Sequence, residues 1–238
     1  KLSDVTTIFK SDPLRKTAAH YGARIQFLAD GTMLITSGDG FNYREQAQSL
    51  DNHFGKLLRL NDDGSIPSDN PFLSTPGALP EIWSYGHRNP QGLIIAKDGT
   101  VFEHEHGPKG GDELNIIQPG KNYGWPLASY GVNYIGTKFT DKTTINGMED
   151  PIHYWVPSIA PCGMVYVDSD KYPKWKNNIL IGSLKFEYLH MCVLDGNNVV
   201  KEEKLLEGIG RVRSLEIGPN GFVYAGIENL GIIKILPN

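Results

Sequence analysis

Short runs of apolar and alternating residues recur along the chain, each interrupted by a turn-forming pair. Arg24-Ile25-Gln26-Phe27-Leu28 passes through Ala29-Asp30-Gly31 into Thr32-Met33-Leu34-Ile35-Thr36. The phrase returns as Gly92–Ile95, Lys97-Asp98-Gly99 and Thr100–Phe102, and again as Ser214–Ile217, Pro219-Asn220-Gly221 and Phe222–Ala225. A looser copy joins Met164–Val167 to Asn178–Gly182 by a longer loop. Asp-Gly and Asn-Gly between β-rich runs predict hairpins, because these residues accept the positive φ of a tight turn. No long stretch carries a 3.6-residue period; the best helical candidate is a turn or two near Arg44–Ser49. About four units repeating every 40–60 residues or so predict an all-β chain built as blades of a β-propeller. A β-sandwich is the alternative that hairpins alone leave open.

Composition narrows this picture. The chain has 238 residues with 27 Gly and 15 Pro, a density of turn formers that suits many short elements and argues against a helical bundle. Its 23 Lys and Arg stand against 27 Asp and Glu, with no long basic run, which argues against a nucleic-acid partner. No stretch approaches the roughly 20 apolar residues of a membrane-spanning helix. Two cysteines, Cys162 and Cys192, make no disulfide framework and read as buried thiols.

Several residues offer chemistry. His20 stands just before the first hairpin and Asp39 just after it, so the hairpin brings both to one edge. There the carboxylate can orient the imidazole as a base, or Asp39 can simply cap a turn. Arg88 and Asn89 sit in a loop ahead of a strand, Lys185 follows the strand Asn178–Gly182, and Arg211 and Arg213 share one face of an extended segment. Converging cations in an acidic chain suit a polycarboxylate or phosphate ligand; independent surface ion pairs are the plainer reading. The glycine-rich run Glu105–Glu113 lacks nucleotide-loop and EF-hand spacing, but its carbonyls and acids suit a hard cation such as Ca²⁺. Asn122-Tyr123-Gly124-Trp125-Pro126 reads as a packed aromatic turn.

Taken in order, Gly86–Gly92, His106-Gly107-Pro108 with Asp112-Glu113, Asn122–Pro126, Pro157–Pro161, Lys185 and Arg211-Val212-Arg213 resemble the soluble quinoprotein sugar dehydrogenases. The aldose sugar dehydrogenases are the most similar subgroup. The resemblance runs from Ala18-Ala19-His20 to about Ile235 and implies a six-bladed propeller that uses pyrroloquinoline quinone (PQQ) and Ca²⁺. It implies that His20 is the general base, Asp39 its orienting partner, and Arg88 and Asn89 the contacts to the quinone oxygens. Lys185, Arg211 and Arg213 would hold the cofactor carboxylates, with His106 and Ser158 completing the cofactor pocket. Gly107 and Pro108 would give carbonyls to the Ca²⁺ beside PQQ, and Glu113 and Tyr123 would match a second Ca²⁺ site. The implied reaction takes an aldose to its lactone and passes electrons to an external acceptor, in the periplasm or outside the cell.

Ala19 stands where glucose-specific members have Asp, His106 where they have Gln, and Val156 and Ser158 where they have pocket Trp and Thr, so the sugar is left open. The family extends further ahead of the His20 segment. Residues 1–238 are therefore expected to form a single propeller domain lacking the N-terminal blade or blades. A non-enzymatic extracellular propeller would not need the four cations together with His20, and a Ca²⁺-dependent lactonase would want carboxylates where this chain has Arg and Lys.

Overall fold

The computed structural model describes residues 3–237 and consists of four antiparallel sheets taken up in chain order. The first holds β1 (Gly22–Phe27), β2 (Met33–Ser37), β3 (Lys56–Leu60) and β4 (Ile82–Tyr85). The second holds β5 (Pro90–Ile95), β6 (Val101–Glu105), β7 (Asp112–Ile116) and β8 (His153–Trp155), and the third β9 (Pro161–Tyr166), β10 (Ile179–Ser183), β11 (Leu189–Asp195) and β12 (Asn198–Leu205). Three strands make the fourth: β13 (Val212–Ile217), β14 (Val223–Ile227) and β15 (Gly231–Lys234). The four predicted hairpins are the first two strands of these sheets. Gly31, Gly99 and Gly221 carry φ of 85°, 90° and 76°, the turn conformation that an L side chain resists. The helical candidate is a 3₁₀ turn at Arg44–Gln48.

The first strand of each sheet packs on the first strand of the next, β1 on β5, β5 on β9 and β9 on β13. That is the blade arrangement of a β-propeller, with the inner strands running one way around a central cavity of about 600 Å³. Apolar seams join the blades. Leu34 and Leu57 meet Leu93 and Val101; Phe102 and Leu114 meet Met164 and Ile181; Leu180 and Leu189 meet Val212 and Val223. Each such side chain, fully buried, contributes about 1.5–3 kcal/mol by leaving water. Both cysteines are buried and free.

Because the inner strands run the same way, every loop entering one and every loop leaving a second strand opens at the same end of the molecule. His20, Arg88, Ala160 and Arg211 precede inner strands; Asp39, His106, Lys185 and Glu228 follow second strands. The fold thus gathers at one rim residues as far apart in the chain as His20 and Glu228.

Candidate active site

His20 is a non-glycine residue with φ +57°, a conformation that persists only where its surroundings hold it. Its carbonyl accepts hydrogen bonds from Arg15 Nη1 at 2.6 Å and from Gly40 N at 3.3 Å. A Cβ at Gly38 would lie 2.3 Å from that same oxygen, so the end of β2 can come this close only as glycine. The imidazole Nδ1–H then donates to Asp39 Oδ1 at 2.6 Å, a bond that in the neutral ring leaves the proton off Nε2. Asp39 is buried and accepts two more donors, Phe41 N at 2.8 Å and Trp125 Nε1 at 2.8 Å. Asp39 thus accepts from the turn at Phe41 and from the His20 ring at the same time.

Arg88 ties this pair to the second blade. Its carbonyl accepts Asp39 N at 2.8 Å, and its backbone N–H donates to Glu105 Oε2. Its guanidinium Nη1 donates to the carbonyls of His106 (2.7 Å) and Gly107 (2.5 Å) and packs over the Trp125 ring, while its buried Nε has no partner. His20, Asp39, Arg88, Pro108, Trp125 and Tyr134 line one basin of about 340 Å³.

The remaining candidates continue the rim without entering that basin. Asn89 Nδ2 faces His106 Nδ1 at 3.5 Å, and His106 Nε2–H donates to Pro161 O at 2.8 Å. Burial holds the His106 imidazole below its ordinary pKa, against the opposing pull of Asp112. Ser158 Oγ donates to Asp112 Oδ2 at 2.6 Å, and Lys185 N donates to Ile159 O at 3.2 Å. Arg211 Nη1 donates to Leu184 O, which sets it beside Lys185, and Arg211 and Arg213 both bond Glu228 Oε2 at 2.9 and 2.8 Å. Lys185 is exposed, its ammonium over the Phe186 ring. The cations thus form two groups: Arg88 beside His20, and Lys185, Arg211 and Arg213 across the third and fourth blades.

Glu113 and Tyr123 meet Glu105 and Gly107 around a void of about 10 Å³, room for one water or ion. Burial, then the charges of Glu105, Asp112 and Asp150, push the Glu113 carboxyl well above the usual range, an acid cluster that a hard cation would relieve. The Tyr123 hydroxyl donates to Ile116 O and accepts from Gln118 N, so its ring is a strut and only its backbone is available to an ion.

Two contacts that build this site are not legible in the sequence. Trp125 was legible only as a packed aromatic, yet its N–H fixes Asp39 across 86 positions. Glu105 looked like loop acidity, yet it clasps the backbone of Arg88 and of Asn89. No local spacing signals either one.

The chain belongs to the glucose/sorbosone dehydrogenase family, which it matches over residues 1–234. It is 43% identical over 243 aligned residues to the aldose sugar dehydrogenase YliI of Escherichia coli, covering 100% of this chain and 65% of that protein. The crystal structure of the soluble aldose sugar dehydrogenase from Escherichia coli in its apo-form superposes with a TM-score of 0.95 at 40% identity, over 100% of this chain and 70% of that one. The PQQ-bound aldose sugar dehydrogenase of Streptomyces coelicolor gives a TM-score of 0.73 at 30% identity, over 90% and 57%. The chain thus spans less than two thirds of the Escherichia coli sequence it matches.

Proposed function

We propose that this chain carries the base and cofactor rim of a PQQ- and Ca²⁺-dependent oxidoreductase that converts aldose sugars to lactones. The observation that carries the reading is a buried Asp39 orienting His20 toward the same basin as Arg88.

The residues present fit the cofactor. Arg88 retains an unpartnered buried Nε for an oxygen-rich guest, with Asn89 beside it. Arg211 and Arg213 share one carboxylate, Glu228, and Lys185 stands beside Arg211 with no carboxylate partner among the described residues, an excess of positive charge that suits the carboxylates of PQQ. Carbonyls of Gly107 and Pro108 and the carboxylate of Glu113 offer the oxygen ligands Ca²⁺ prefers, and His106 and Ser158 complete the wall between the two groups. PQQ, when bound, supplies the two-electron redox chemistry that no side chain can.

The chain's own part is proton handling and charge stabilisation. His20 Nε2 takes the proton of the anomeric hydroxyl as that carbon gives up its hydrogen with the bonding electron pair, which leaves the lactone. Asp39 stabilises the imidazolium that forms, and a base so placed contributes about 10²–10⁴-fold. Arg88, in the same basin, would stabilise the negative charge that develops on oxygen. The electrons pass on to an external acceptor, and the family resemblance is what supports a periplasmic or extracellular setting for this chemistry.

Titrating the protein with PQQ and Ca²⁺ by absorbance, then supplying aldoses and a redox dye, tests the proposal. Binding with sugar-dependent dye reduction is expected, and His20→Ala should keep the cofactor but lose about 10²-fold or more in turnover. Absence of turnover with every aldose, or full turnover in His20→Ala, overturns it.

A further inference from the structure

Behind the rim, the second blade turns another set of groups inward. Glu103 and Glu105 lie two apart on β6 and so share a face, opposite Asn115 and Glu113 on β7. His87, from the turn ahead of β5, meets that face with its ring stacked on Tyr123 at 4.6 Å. His87, Glu103 and Asn115 are fully buried, and Glu105 is 3% exposed.

The outward-facing atom of each ligand is already held. His87 Nε2 bonds Ser84 Oγ at 2.9 Å; Glu105 Oε2 accepts the backbone N–H of Arg88 and, at 3.0 Å, of Asn89; Glu103 Oε2 accepts from Asn115 Nδ2 at 3.2 Å. The inner atoms are not. His87 Nδ1 and Glu103 Oε1 have no hydrogen-bond partner, and Glu105 Oε1 faces His87 Nδ1 at 3.6 Å, too far for a hydrogen bond. One ligand atom from each of the three residues lies within 4.8 Å of the other two. Among the described residues, no lysine or arginine side chain bonds or pairs with Glu103 or Glu105. Buried polar atoms converging without hydrogen bonds are costly, and a cation at their centre, bound by the His87 tautomer with Nδ1 unprotonated, satisfies all three at once.

We propose that His87, Glu103 and Glu105 bind a divalent transition-metal cation of the Zn²⁺ type at the seam between the first two blades, with a nitrogen-containing ligand set that shares only Glu105 with the void beside Glu113 considered above. An imidazole nitrogen with two carboxylates selects Zn²⁺, Co²⁺ or Mn²⁺ over Ca²⁺, which prefers oxygen alone. The 3.6 Å between His87 Nδ1 and Glu105 Oε1 is close to the edge, about 3.4 Å, of a tetrahedron with bonds of about 2.1 Å. Ser84, Asn115 and the Arg88–Asn89 backbone are then the outer contacts that fix each ligand's orientation. Since Glu105 holds that backbone through its other oxygen, the cation sets the turn that presents Arg88 to the basin, and its role is positional.

Protein stripped with a chelator is dialysed against Zn²⁺ with Ca²⁺ in large excess, freed of loose metal, and analysed by elemental mass spectrometry. About one Zn²⁺ per chain is expected, and Co²⁺ loading should give visible d–d absorption from a nitrogen-containing site. Glu103→Gln and His87→Asn should each lower Zn²⁺ affinity at least tenfold, while Glu113→Gln retains it. Failure of the wild-type protein to keep Zn²⁺ overturns the proposal without recourse to any variant. So does undiminished retention in both ligand variants, or equal loss in Glu113→Gln. The readout is metal content, so the outcome is independent of sugar oxidation.

Discussion

Asp39 shows how much one carboxylate can organise. Its three accepted hydrogen bonds come from His20, from a turn and from an indole 86 positions away. An asparagine has only one acceptor oxygen: if it serves His20 and Phe41, its amide N–H faces the Trp125 N–H, donor against donor. Asp39→Asn is therefore expected to lower stability by about 1–3 kcal/mol in urea unfolding. In the dye assay of the reconstituted enzyme, kcat should fall with little change in sugar KM, since His20 loses its orienting charge and not its place. The His20–Asp39 pair was legible in the sequence because both residues flank a hairpin whose three-residue turn, Ala29-Asp30-Gly31, sets the register. The His87, Glu103 and Glu105 cluster was not, because it forms across two blades, and Glu-His-Glu in one dimension does not reveal that its histidine points to the opposite face.

Among the elements, the inner hairpins announced themselves by alternation and by Asp-Gly or Asn-Gly turns, whereas the outer strands did not. All five residues of β3 are buried, so its sequence Lys-Leu-Leu-Arg-Leu carries no two-residue rhythm. β12 lies at a sheet edge and is rich in Lys and Glu, which guards the edge against pairing and removes the apolar signal. Lys56, fully buried at the start of β3, donates to the carbonyls of Gln46 (3.0 Å), Ala47 (3.2 Å) and Phe54 (2.5 Å), and so fastens the 3₁₀ turn to the sheet. Lys56→Met leaves the Phe54 carbonyl without this donor, while Gln46 O and Ala47 O keep the backbone N–H groups of Ser49 and Gly86, and should cost about 1–3 kcal/mol. Burial lowers the Lys56 pKa to about 7, below its ordinary 10.5. Between those values the unfolded chain binds the extra proton, so Lys56 makes stability rise with pH from 7 to 10.5. Urea midpoints across that range should climb in the wild type relative to Lys56→Met.

For the whole molecule, acid is the informative stress. Burial holds His104 near pKa 3 and His190 near 4, so both stay neutral in the fold at pH values where an unfolded histidine, at 6.5, takes up a proton. Their contribution is intact above pH 6.5 and is lost as pH falls toward 3–4. Glu103 and Glu113, raised by burial, act in the opposite sense, so the clean measurement is a difference. Relative to His104→Leu, the wild-type protein should lose about 2 kcal/mol between pH 7 and pH 5 in urea unfolding. The shared direction of the inner strands has a practical corollary. The tips at Gly31, Gly99 and Gly221 all lie at the end away from the rim, so a tether or anchoring peptide grafted there would fix the molecule to an electrode with its reactive mouth facing the solution.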